Sequence, residues 1–365
     1  MNANEPMQPP KVERRLSGRA AMRSQPAVML AKLADYAGEE LLPDYYGEGD
    51  VIRSFEEQIA GLLGKEAAVF MPSGTMAQQI ALRIWAERNG CNNVAFHPTC
   101  HLQLHEQMGY QALHGLNGIL VGEPTEMLTL ADLQTVSQPV STLLLELPQR
   151  EIGGQLPKWE ELVEIVGWAR GRDIRLHMDG ARLWECKTFY QKEYAEIAAL
   201  FDSVYVSMYK GLGAIAGAVL AGEEGFIAEA RVWLWRHGGN LISMYPFVLS
   251  ARLGIQEFLP KMDSYYRKTR EVAEVLSTFE QVRVLPNPPQ VNMMHVFIQA
   301  EPERMKTALE QVAQESGIQL FRRMTTASVP GFLKTELTIQ DGALEISRDE
   351  LREALELLFH KIESR

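Results

Sequence analysis

Between residues 50 and 222, short apolar β-rich runs alternate with stretches whose apolar residues recur at helical spacing. This alternation constrains the fold more than any other feature of the chain. VIRSFEEQIAGLLG has the spacing of a helix that stops at Gly64. AAVFMPSG reads as a strand entering a turn. TMAQQIALRIWAERNG follows as a helix, with Ala77, Ile80, Ala81, Ile84 and Trp85 on one face and Asn89-Gly90 closing it. NVAFHP, GILVG, STLLLELP, DIRLHMDG and SVYVSMY are further strand candidates, and WEELVEIVGWARGR is a further helix. Strands separated by helices predict parallel βαβ units in a doubly wound sheet. EEGFIAEARVWLWRHGGN reads as a long helix ending at paired glycines. Beyond about residue 250 long helices come first, then QVNMMHVFIQ, GIQLF and TELTIQ as strands. The expected organisation is an N-terminal arm over 1–45, a large α/β domain over 46–250 and a smaller α+β domain over 251–365.

The formal net charge of -11 argues against a protein whose main task is gripping nucleic acid. Cys91, Cys100 and Cys186 are too few for a disulfide framework and suit a reducing compartment, so a cytoplasmic location is expected. No apolar run is long enough to span a bilayer, and MNANEPMQPP has no apolar signal core. The basic stretch KVERRLSGRAAMR, with its neighbouring prolines and Glu5 and Glu13, reads as a flexible or partner-clasping arm.

In an open α/β sheet, ligands bind beyond the carboxyl ends of the strands. Three such ends carry chemistry. Ser73-Gly74-Thr75 lies between a strand and a helix. Ser73 and Thr75 are plain helix caps in one reading. In the other, the free N–H groups of the helix start form an anion site and Gly74 lets the backbone approach a phosphate. Asp179, in LHMDGAR, follows an apolar strand and needs a cationic partner. Arg182 is one candidate, as an ion pair at the turn; a protonated pyridine nitrogen is another. The Arg182 fork also matches a substrate carboxylate. Lys210 heads KGLGAIAG at the end of a buried strand. Partial burial lowers a lysine pKa, and a neutral amine can form a Schiff base. A dinucleotide loop is the rival reading of those glycines. It needs a helix opening at the glycines and an acidic residue some twenty positions on. Here AIAGAVLAG is β-like, and the spacing is GxGxxxG. A phosphate cradle, a buried acid and a strand-end lysine, in that order, make a pyridoxal-phosphate (PLP) site.

YYGEGDVIRSFEEQIAGLLGKEAAVFMPSGTMAQQIAL, RLHMDGARLWE and SMYKGLGAIAGAVLAG resemble the low-specificity threonine aldolases and the related β-eliminating lyases. The resemblance covers roughly residues 40–250 well and the C-terminal part loosely. It implies the aspartate-aminotransferase-like fold of fold-type-I PLP enzymes, mainly a parallel doubly wound sheet with a smaller C-terminal domain. It implies Lys210 as the Schiff-base lysine and Asp179 as the partner of the pyridine nitrogen. Ser73, Gly74 and Thr75 would hold the phosphate, and Ser207 would supply the hydroxyl beside the lysine, where Tyr209 replaces the usual serine. His101 would stack on the ring and serve as a base. Arg182 would bind the substrate carboxylate, with Tyr46 and Gln149 bordering the substrate. Arg236, with Arg231, would lie near the phosphate, possibly that of the other subunit in a homodimer or homotetramer with shared active sites. The implied substrate is a small amino acid. The expected activity is aldol cleavage of a β-hydroxy amino acid to glycine and an aldehyde. β-Elimination is the alternative, and a catalytically silent protein of the same fold is the reading from another class.

The chain also departs from that pattern. ELPQR stands for ENTHN, which replaces a second histidine by Gln149; GGNLIS stands for GGGMRQ; Glu336 stands where a second arginine is expected. His101 and His105 are four apart and could share a metal on a helix, but no further ligand pair supports one, and no metal is expected.

Overall fold

The computed structural model describes residues 14–18 and 25–363. Much of the expected N-terminal arm, residues 1–13 and 19–24, lies outside the described residues. The chain divides into two compact units, one over Ala31–Asp263 and one combining Met1–Leu30 with Ser264–Arg365.

The larger unit is built on seven strands: β1 (Ala67–Met71), β2 (Asn93–Phe96), β3 (Asn117–Leu120), β4 (Thr142–Glu146), β5 (Arg175–Gly180), β6 (Ser203–Ser207) and β7 (Ala218–Gly222). Their order across the sheet is β1-β7-β6-β5-β4-β2-β3. The ladders from β6 through β5, β4 and β2 to β3 are parallel. Only β7 runs against the rest, antiparallel to both β6 and β1. The mainly parallel α/β sheet expected from the alternation is therefore present. The strands that build its middle are almost wholly buried, Arg175 at the start of β5 being the exception, as a sheet covered on both faces requires.

Two helices fix the side of the sheet that matters here. In α1 (Asp50–Leu63), Val51, Ile52, Phe55, Ile59 and Leu63 are buried on one face, and Gly64 ends the helix in the left-handed conformation at φ 61°. In α2 (Gly74–Asn89), the Ser73 hydroxyl accepts the N–H of Met76 at 3.3 Å, and Gly90 closes the far end at φ 61°. Ala77, Ile80, Ala81, Ile84 and Trp85 of α2 pack on Val69, Met71, Leu220 and Phe226. Each fully buried aliphatic side chain of this kind contributes about 1.5–3 kcal/mol. The Trp85 ring stacks on Phe226 at 4.6 Å.

The smaller unit carries an antiparallel sheet of β8 (Val282–Leu285), β9 (Met293–Gln299), β10 (Thr325–Thr326) and β11 (Phe332–Thr338), in the order β10-β11-β9-β8. Its helices Pro302–Ser316 and Arg348–Glu363 pack against one another. Leu333, Thr335 and Leu337 alternate inward along β11. Glu336 faces the other way and pairs in register with His295. Residues Arg14–Arg15 run parallel to Ile318–Gln319, and Leu16 is fully buried in this unit's core.

Candidate active site

All three strand ends singled out in the sequence lie at one edge of the large sheet. Parallel pairing sets Glu146, Asp179 and Tyr205 level with one another on β4, β5 and β6. A small cavity at this edge is lined by His101, Glu146, Pro148, Arg150, Asp179, Ala181, Arg182 and Lys210. His101, Lys210 and the turn that carries both Asp179 and Arg182 are thus brought together although far apart in the chain.

Asp179 is 1% exposed. Its Oδ1 accepts the N–H of Ala181 at 3.0 Å, and its Oδ2 accepts the side-chain amide of Gln78. Burial pushes its carboxyl up to about 6, against the pull of the Ala181 N–H, His101 and Lys210. The two donors and Lys210 favour its ionised form. Glu146 behaves differently. Burial and the Asp179 charge push its carboxyl up to about 8, although the N–H groups of His101 (3.0 Å) and Arg150 (3.1 Å) hold its two oxygens. Two buried carboxyls at one strand level, both pushed up by burial, are an arrangement typical of acid–base sites.

His101 opens the short helix α3 (His101–His105), just beyond β2. Its Nδ1 lies 3.3 Å from Oε1 of the buried Glu106, which raises the imidazole pKa. His105 turns to Glu151 at 2.9 Å. Lys210 follows β6; its backbone N–H donates to the Ser207 hydroxyl at 3.3 Å, and its ammonium lies 5.3 Å from the Tyr209 ring. Burial raises the pKa of both Tyr205 and Tyr209, and each bears on the other's ionisation. Arg182 donates to Glu185 at 3.2 Å, and its side chain is 12% exposed.

Ser73, Gly74 and Thr75 sit at the same sheet edge, at the start of α2. The remaining expected residues lie apart from the cavity. Gln149 is buried, donates to the Thr99 hydroxyl at 3.3 Å and pairs through its backbone with Gln155. Tyr46 is exposed at φ 52°, with its ring 6.1 Å from Trp235. Arg236, at the end of α4 (Glu224–Arg236), is exposed and stacks on Trp233 at 4.5 Å. Arg231 is committed to Glu56 at 2.5 Å and to the Ala68 carbonyl at 3.1 Å.

The glycines after Lys210 serve the fold itself. Gly213 and Gly217 take φ 68° and 108°, and a Cβ at Gly217 would lie 2.3 Å from Phe70. Sequence reasoning missed Gln78 and His177. His177 stands two residues before Asp179, on the same face of β5, and its Nε2 lies 2.7 Å from Gln78 Oε1. That period-two spacing was the available signal.

The sequence pattern of the beta-eliminating lyases matches residues 25–301. The chain belongs to that family. Low-specificity L-threonine aldolase 1 of Arabidopsis thaliana is 29% identical over 295 residues, covering 78% of this chain and 82% of that protein. A crystal structure from Listeria monocytogenes, assigned as an L-allo-threonine aldolase, is 42% identical with a TM-score of 0.91 over 97% of this chain and 96% of that one. A second from Exiguobacterium, assigned as an aromatic amino acid beta-eliminating lyase/threonine aldolase, is 40% identical with a TM-score of 0.92 over 96% and 98%. This member of the family is a lyase, with the fold of the PLP-dependent transferases. Among the described residues no helix is long and apolar enough to cross a membrane.

Proposed function

We propose that the chain binds PLP through Lys210 and cleaves the Cα–Cβ bond of a β-hydroxy amino acid, releasing glycine and an aldehyde. The convergence of Lys210, Asp179, His101 and Arg182 on one cavity carries this reading. The residues fit the cofactor: a buried carboxylate faces the same cavity as a lysine, and a helix N-terminus with a serine cap stands at the same edge. When bound, PLP supplies an electron-withdrawing ring that takes the electron pair left at Cα. Asp179 accepts a hydrogen bond from the ring nitrogen and keeps it protonated. Ser73, Gly74 and Thr75 receive the phosphate, Ser207 holds the turn that presents Lys210, and Arg236 serves the phosphate site across a subunit boundary. Arg182, steadied by Glu185, takes the substrate carboxylate. Tyr46, which lies apart from this cavity, would border the substrate of a partner subunit, and Gln149 would do so only from behind Pro148 and Arg150 of the lining. His101 takes the β-hydroxyl proton as the Cα–Cβ bond breaks, and a proton then returns to Cα. Glu106 holds Nδ1 of that imidazole and leaves Nε2 for the hydroxyl.

β-Elimination is the second reading, favoured by one observation: Gln149, in the place of a histidine, is turned to Thr99. Lys210 would then take the Cα proton while the β-substituent leaves. We also assign the protein to a homo-oligomer in the cytoplasm. Leu42 (80% exposed), Tyr45, Tyr46, Trp235 and Ile242 leave apolar surface uncovered around the Tyr46 turn, and the cysteines are free. Purified protein given PLP should show a visible band that borohydride bleaches. Threonine, allo-threonine, phenylserine, serine, tyrosine and tryptophan should then be screened for aldehyde with glycine, or for pyruvate and ammonia. Pyruvate without glycine replaces the first reading by the second; a preparation that stays colourless refutes both. An active monomer refutes shared sites, and a fluorescent fusion outside the cytoplasm refutes the location.

A further inference from the structure

We propose that Gln78, His177, Ser203 and Trp85 form a one-way hydrogen-bond relay that positions Asp179 and holds it as an ionised acceptor. The relay is part of the fold; only its consequence for the cofactor rests on the function proposed above. Gln78, His177 and Ser203 are wholly buried, and Trp85 is 2% exposed. The Trp85 indole N–H donates to Ser203 Oγ at 2.8 Å. Ser203 Oγ lies 2.8 Å from His177 Nδ1, and His177 Nε2 lies 2.7 Å from Gln78 Oε1. The Gln78 amide nitrogen then donates to Asp179 Oδ2.

Such a chain has two polarities. In one, Ser203 donates to Nδ1, the imidazole carries its proton on Nε2 and donates to Gln78 Oε1, and the Gln78 NH2 group must face Asp179. In the other, the imidazole carries its proton on Nδ1 and donates to Ser203 Oγ, and Gln78 turns its oxygen to Asp179, which then has to carry a proton. Trp85 donates to Ser203 in both, since a hydroxyl oxygen can accept twice. The Asp179 end chooses between them, because an ionised carboxylate can only accept. Trp85 uses an acceptor site of Ser203, and the serine proton is free to point at His177. Burial pushes the His177 pKa down to about 3, so the ring stays neutral. Lys210, His101, Glu106 and Glu146 bear on Asp179 from the cavity, and Tyr205 and Tyr209 feel its charge from the β6 side. None of these groups is a member of the relay. Gln78, His177, Ser203 and Trp85 are therefore positioning residues, acting on the cofactor through Asp179.

The test begins with wild-type protein before PLP is added, using 15N NMR of its histidine rings. His177 should show the Nε2–H tautomer and should not titrate between pH 5 and 8; the Nδ1–H tautomer, or a titration in that range, overturns the relay. Gln78→Met keeps the length of the side chain and removes the amide. It should weaken PLP binding at least tenfold and shift the pH midpoint of the visible band. Trp85→Phe leaves Gln78 in place. It should leave the His177 tautomer as in wild type and move that midpoint the same way by less. If both variants lower only the melting temperature, with the midpoint unmoved, the network is structural and the proposal falls. Wild-type protein that takes up no PLP refutes the proposed function and leaves the tautomer to judge the relay.

Discussion

Gly74 stands where a phosphate would be received, yet its own neighbour is protein. A Cβ built on Gly74 lies 2.0 Å from the Tyr205 hydroxyl oxygen, 2.4 Å from Cζ and 2.9 Å from Cε2. Comfortable contact between such atoms needs about 3.5–4.0 Å, so the ring would have to move by more than ~1 Å. Tyr205 is 3% exposed, lies on β6 between β5 and β7, and packs in the core with Val69, Met71 and Ala77. Overpacking of this kind costs about 1–3 kcal/mol, and overlap with three ring atoms places Gly74→Ala toward the upper end. The alanine gains at most ~1 kcal/mol of helix propensity, and less at a first turn. The net expectation is a loss of about 1–2 kcal/mol, seen as a fall of roughly 2–4 °C in Tm for a unit of this size. The assay is a thermal melt of protein without PLP, repeated in a Tyr205→Ala background. There the same Gly74→Ala change should cost close to nothing, because the ring it overlaps is gone. The reasoning is refuted if Gly74→Ala melts at or above wild type and loses only PLP affinity. The glycine would then exist for the ligand alone.

Two further outcomes follow from the site and its surroundings. Glu106 raises the pKa of His101, so their pair stabilises the fold fully below the ordinary imidazole value of 6.5 and is lost as pH rises through the raised one. NMR should find the His101 midpoint above 6.5 and moved down by Glu106→Gln; an unchanged or higher midpoint in the variant contradicts the pairing. Asp44 is 2% exposed and accepts the N–H groups of Met244 (2.8 Å), Tyr245 (2.7 Å) and Gly47 (3.2 Å), tying the Tyr46 turn to the start of the helix Tyr245–Phe258. Asp44→Ala should cost about 2–3 kcal/mol by denaturant midpoint. A loss under about 0.5 kcal/mol would show that water replaces the carboxylate there.

The legible features were local ones. Gly64 and Gly90 announced their helix ends because a left-handed cap needs a residue without Cβ, and Asp179 and Lys210 stood out as charges attached to apolar runs. The reversed direction of β7 was legible in principle. Met208–Gly217 is shorter than the dozen or more residues a parallel crossover needs, and the residues alone do not state direction. The partners of Arg231 and Gly217, Glu56 and Phe70, were not legible because they come from distant segments. The relay behind Asp179 was hidden for the same cause. Gln78, His177 and Ser203 become neighbours only when α2 lies across β5 and β6, and each is unremarkable in its own stretch.

Leu16 is buried in a core whose other members begin at Val272, and its strand partners are Ile318 and Gln319. A ribosome adding about 5–20 residues per second therefore releases this leucine roughly 15–60 s before the residues that will cover it. By the end of that interval residues 31–263 have all of their own sequence, while Leu16 has stayed an uncovered apolar anchor. Residues 272–359 then have to capture it, so the core of the smaller unit closes only after the whole of the larger unit has been made.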